Sequence, residues 1–166
     1  LEKVGNRDER IAIIGAGPAG IFTALEIQKI TPEWKIIIIE KGSRIEKRTC
    51  LLREGYQKCP RCKKCGLLCG WGGGGAFSDG KLTLTPDVGG HLLDYMDRVH
   101  VNEIIKYTDD LYLKFGATNV VYGNDRSLSV DIERAATLAE LKLVHSPVRH
   151  LGTERSLHVL KAMQDF

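Results

Sequence analysis

Gly15-Ala16-Gly17-Pro18-Ala19-Gly20 carries glycine at its first, third and sixth positions, and Glu40 follows twenty residues after the last of them. Where a strand turns into a helix, such glycines have separate uses. Gly15 permits the tight turn, Gly17 lets a pyrophosphate approach the backbone, and Gly20 lets helix and strand pack closely. Together they bare the first N–H groups of the helix, and the positive end of the helix dipole, about half a charge, points at the same place. A carboxylate at Glu40 can accept hydrogen bonds from both hydroxyls of a ribose and repel a 2′-phosphate, which disfavours NADP. The ADP half is common to FAD and NAD, so this segment alone leaves the two open.

Cys59, Cys62, Cys65 and Cys69 have the spacing C-x2-C-x2-C-x3-C. Thiolates at such intervals in a looped segment can converge on one metal. In the ferredoxin run of this spacing a proline follows the fourth cysteine, which serves a second cluster; here Gly70 follows Cys69 and there is no second run. A single [4Fe–4S] centre and tetrahedral zinc both stay open. Four ligands within eleven residues favour the cluster, because zinc sites usually separate two cysteine pairs by a dozen residues or more. Free or redox-paired thiols are the third reading, and Cys50, which stands apart, reads as a buried small hydrophobe.

The segment Gly70-Trp71-Gly72-Gly73-Gly74-Gly75-Ala76 can aim several backbone N–H groups into one concavity. Gly74 and Gly75 are its candidate contacts to a ligand. Ser78, Asp79 and Lys81 follow at once, and their hydroxyl, carboxylate and ammonium groups suit the polar edge of a flavin or a substrate. A cation such as Lys81 near the flavin N1 and C2 carbonyl would stabilise the anionic reduced ring. The alternative is a flexible linker, against which Trp71 and Phe77 count, since aromatic side chains want a surface to cover.

The elements that must position these residues are legible in the first forty positions. Ile11 to Ile14 is a short apolar run of the kind buried on both faces of a sheet, Ala19 to Ile30 reads as a helix stopped by Thr31-Pro32, and Lys35 to Ile39 reads as a second strand ending on Glu40. Residues 11–40 thus form a βαβ unit. Residues 59–81 read as a cysteine-rich and glycine-rich insertion, and 100–166 as mostly helical. There, 102–115 is an amphipathic helix ending at Gly116, Ile132 to Ala139 another, Leu141 to Val144 a strand, and Thr153 the cap of a last helix. His150 reads as a surface or structural histidine, with a proton donor near a flavin as the alternative. The fold class expected is α/β, a Rossmann-like FAD/NAD(P)-binding fold that is incomplete over 1–166.

The 166 residues are 43% apolar and 27% charged, as in a globular protein. The longest apolar run, Ile36 to Ile39, is far below the ~20 residues of a membrane-spanning helix, and the charged start is no signal peptide. A cytoplasmic address follows by default. A net charge of +3 does not by itself imply nucleic acid, although Arg53, Lys58, Arg61, Lys63 and Lys64 put a basic cluster around the cysteines. Leu1 in place of Met, and a stop at Phe166 within a helical pattern, read as a fragment.

The chain resembles the FAD-dependent dehydrogenase-like proteins of bacteria and archaea. The resemblance rests on Gly15 to Gly20 with Glu40-Lys41-Gly42, on Cys59-Pro60-Arg61-Cys62-Lys63-Lys64-Cys65, on Gly72 to Lys81 and on His150-Leu151-Gly152-Thr153. It implies FAD rather than NAD, with Lys41 beside the motif and Arg48 adding charge to the diphosphate, and it covers the first three cysteines better than Cys69. It also implies a protein two to three times longer, with substrate-handling residues beyond Phe166, acting on a small-molecule substrate or electron carrier. Catalytic residues and oligomeric state are not assigned. The function expected is a flavin-dependent oxidoreductase. The rivals are a nucleotide-binding module with a zinc knuckle contacting nucleic acid, and an NAD-binding dehydrogenase domain.

Overall fold

The computed structural model describes residues 9–125 and 127–166. It has a mixed α/β architecture in two compact units, one formed by residues up to Phe77 with Leu160–Phe166 and the other by Ser78–Val159. Among the described residues no helix is long and apolar enough to cross a membrane.

In the first unit β1 (Arg10–Ile14), α1 (Pro18–Ile30) and β2 (Lys35–Ile39) follow one another, and β1 and β2 pair in parallel from Arg10↔Lys35 to Ile14↔Ile39. Thr31 ends α1, returning its N–H to the Ile27 carbonyl, and Pro32 cannot continue the helix. Ile11 and Ile13 on β1 and Ile36 and Ile38 on β2 are half-buried on one face, while Ile14, Ile37 and Ile39 on the other are 78%, 40% and 52% exposed. Burial on both faces, expected from the apolar run, is therefore not what this unit provides. The sheet has two strands, and only one face carries the half-buried isoleucines. A 3-10 turn (Ile45–Lys47) follows, a second one (Gly73–Phe77) covers part of the glycine-rich loop, and Ile21, Ile45, Ala76 and Met163 form the buried apolar centre.

The second unit contains β3 (Lys81–Thr83), α2 (Arg98–Lys114), α3 (Val130–Leu138) and β4 (Val148–His150), with the start of α4 (Gly152–Asp165), whose last residues belong to the first unit. β3 and β4 pair antiparallel, and Tyr122 bridges to Val148. Two expectations need correction. Leu141 to Val144 is not a strand; the pairing falls at Val148–His150, where Lys81–Thr83 and Tyr122 offer partners. The last helix begins at Gly152, so Thr153 lies inside its first turn rather than capping it. α2 starts four residues earlier than its apolar stripe suggests, because the Asp97 carboxylate accepts from the Val99 and His100 N–H groups. Val101, Phe115, Leu151 and Val159 are the buried apolar residues, and the Arg149 guanidinium is clamped by Asp109 at 2.5 and 2.7 Å with a further bond to the Thr118 carbonyl.

Candidate functional site

Gly15 closes the turn after β1 with φ of +97°, a conformation that side chains other than glycine rarely adopt, and its N–H donates to the Ile39 carbonyl at 2.8 Å. At Gly20 a Cβ would stand 2.0 Å from the Gly15 carbonyl oxygen, so helix and turn approach too closely for any side chain. Gly17 is the N-cap of α1, no side chain caps it, and Pro18 at the first helical position has no N–H to offer. The helix start is consequently left for an external acceptor. A Cβ built on Gly15 or Gly17 meets nothing within 4 Å, so the space beside both is open. Pro18 and Ala19 are exposed, whereas Ala16 is fully buried.

Glu40 lies beside this turn. One carboxylate oxygen accepts the Ala16 N–H at 2.9 Å, and the other accepts Gly42 N–H at 2.8 Å and Gly70 N–H at 3.0 Å. The Ala16 N–H is the chief cause holding this carboxyl below the usual carboxylate range; burial opposes it, and Gly42, Gly70 and the Lys41 ammonium add to it. A carboxylate offers about four acceptor positions. Three are taken, so one is left for a ribose hydroxyl where the sequence suggested two. Lys41 is exposed.

The glycine-rich loop packs directly on the turn, which the sequence did not reveal. Gly72 N–H donates to the Ala16 carbonyl at 2.8 Å, Trp71 N–H to Ser43 at 3.0 Å, and Gly73 sits against Gly17 and Pro18. The Trp71 indole N–H reaches the Leu160 carbonyl at 2.7 Å. Glycine at position 42 is obligatory, because a Cβ there would be 2.0 Å from the Gly70 nitrogen.

Arg48 builds that loop. Its guanidinium is buried and donates to the carbonyls of Gly66 (3.1 Å), Leu67 (2.7 Å), Trp71 (2.6 Å) and Gly73 (2.8 Å), with its Cζ 4.8 Å from the centre of the Phe77 ring. Arg48, expected to add charge to a diphosphate, gives four of its five N–H groups to backbone oxygens. Burial lowers its pKa, and the charges of Cys69, Glu40 and Cys65 oppose that. Of the other expected contacts, Gly74 and Gly75 are exposed on the Gly73–Phe77 turn. Ser78 and Lys81 belong to the second unit, where Ser78 accepts from the Gly80 N–H and the Lys81 ammonium pairs with Asp79 at 2.8 Å. His150 is exposed, with its ring edge-on to Tyr122.

The cysteines are all unpaired. Cys59 and Cys62 are exposed, and Cys50, Cys65 and Cys69 are half-buried. Among the described residues no three His, Cys, Asp or Glu side chains stand together as a metal-holding group. A cleft of about 460 Å³ opens between α1, β2 and the end of α4, with Glu40, Ser43 and Arg44 at its polar side and Leu25, Ile36 and Met163 at its apolar side. The cleft joins the carboxylate of the turn to an apolar wall.

No protein-family model matches the chain. A curated protein of Clostridium beijerinckii, described as an uncharacterized protein, is 30% identical over 130 residues, which are 75% of this chain and 23% of that protein. The chain therefore spans about a quarter of the length of the relative it matches.

Proposed function

We propose that the chain supplies the site for the ADP half of FAD in a flavin-dependent oxidoreductase, on a Rossmann-like fold that this sequence covers in part. The observation carrying this reading is the parallel β1–α1–β2 unit whose uncapped helix opens on open space at Gly15 and Gly17, with the ionised Glu40 carboxylate fixed beside it. The residues fit the group: exposed helix N–H groups and the helix dipole suit a diphosphate, and the remaining acceptor position of Glu40 suits a ribose hydroxyl. Bound FAD would supply hydride or electron transfer, and a small molecule or an electron carrier would be its reaction partner. The chain's own residues orient the nucleotide. Glu40 and Arg48 hold turn and loop in register, and Gly74 and Gly75 are exposed for contact. A cytoplasmic location is in keeping with five unpaired cysteines.

The test uses Gly17→Asp. Nothing lies within 4 Å of a Cβ there and φ is −77°, so the variant folds, but it sets a carboxylate where the diphosphate would lie. Flavin retained by the full-length protein and ADP affinity of the chain by calorimetry are both expected to fall, the latter by at least about tenfold, or ~1.4 kcal/mol. Unchanged ADP binding in Gly17→Asp would sink the reading. A colourless full-length protein that binds NAD reversibly would replace FAD by NAD.

A further inference from the structure

Cys59, Cys62, Cys65 and Cys69 have no part in the nucleotide site, and we infer that they close on one thiophilic metal centre, a single zinc ion or a single iron–sulfur cluster. The four fall into an anchored pair and an unanchored pair. Cys69 N–H donates to the Cys65 carbonyl at 2.8 Å, so these two are one helical turn apart, the separation at which side chains share a face. Both are half-buried, and they flank Gly66 and Leu67, whose carbonyls accept from the buried Arg48 guanidinium.

Cys59 and Cys62 are exposed, with two residues between them as in a metal-binding knuckle. Among the described residues, none from Gln57 to Lys64 makes a hydrogen bond or an ion pair. Bringing the outer pair onto the inner pair therefore breaks no hydrogen bond or ion pair and moves one exposed segment. The charge balance also fits. Metal ligands of this kind are thiolates, and a centre with four of them is net negative. Arg48 bonds the carbonyls of Gly66 and Leu67 between the inner pair, and the exposed Lys58, Arg61, Lys63 and Lys64 flank the outer one in sequence, with Glu54 the only carboxylate between 51 and 69. Cationic neighbours offset that negative charge.

The experiment is a zinc, iron and sulfide assay on the chain purified without oxygen, followed by exchange with Co²⁺ and measurement of the sulfur-to-cobalt charge-transfer bands. One zinc per chain, or iron with inorganic sulfide in cluster proportion, supports the centre and tells the two forms apart. In both cases Cys59→Ser and Cys62→Ser should lower metal affinity by more than the roughly 100-fold that loss of an outer-shell partner brings. These variants exchange one exposed thiol for a hydroxyl, so folding is preserved, and Cys50→Ser should bind as the parent does. Absence of metal with no charge-transfer band on adding Co²⁺, or wild-type affinity in Cys59→Ser, would overturn the inference. Retained flavin is read separately, so either conclusion can fail without the other.

Discussion

At the scale of the residue, Glu40 acts first on its own chain. Its carboxylate gathers N–H groups from Ala16, Gly42 and Gly70, three points far apart in sequence. An acid whose pKa is lower folded than unfolded stabilises the fold fully above its unfolded value, about 4.3, and that contribution is lost as pH falls through the folded value. Glu46 behaves alike: the Gln164 amide is the main cause that brings it down to about 2. Urea unfolding of the parent should thus weaken between about pH 5 and pH 2, and Glu40→Gln should be less stable at pH 7 with a flatter profile. A Glu40→Gln profile parallel to the parent's would show that the three N–H bonds do not depend on the charge. Arg48 shows what local reading misses. The resemblance implied a charge near a phosphate, whereas the carbonyl partners of Arg48 in the chain lie 18 to 25 residues away, a separation no motif encodes.

At the scale of the element, the β1–α1–β2 unit was legible almost to the residue, because each signal is local: the apolar runs, the glycines, Thr31-Pro32 and the acidic end of β2. Leu141 to Val144 misled for the opposite reason. Its pattern suits a strand, but a strand needs a partner, and Lys81–Thr83 lies opposite Val148–His150. The Arg149–Asp109 pair shows the same long reach. Its side chains are 5% and 14% exposed, and it links β4 to α2 across 40 residues. Hydrogen bonding to Asp109 is the main cause raising the Arg149 pKa. Arg149→Ala strands a carboxylate that is largely out of water and should cost about 3–5 kcal/mol in denaturant unfolding. Replacing both partners with leucine should cost clearly less. Equal losses in the two variants would mean that the hydrogen bonds of the pair, absent from both, carry the cost rather than the stranding of one charge.

At the scale of the molecule, stability should follow burial rather than hydrophobicity. Ile21 is 2% exposed and Ile37 is 40% exposed, though both are isoleucines of the first unit. Ile21→Ala is expected to cost about 2–5 kcal/mol, and Ile37→Thr to stay within about 0.5 kcal/mol, by chemical denaturation. A large loss from Ile37→Thr would show that the outer face of the sheet is covered in solution. The stitched turn at Gly15 and Ala16 has its own thermodynamic consequence. Backbone bonds to Ile39 and Gly72 and the carboxylate of Glu40 already restrict it. A ligand that lands there meets a surface with little conformational entropy left to surrender, so more of each contact it makes is kept as affinity.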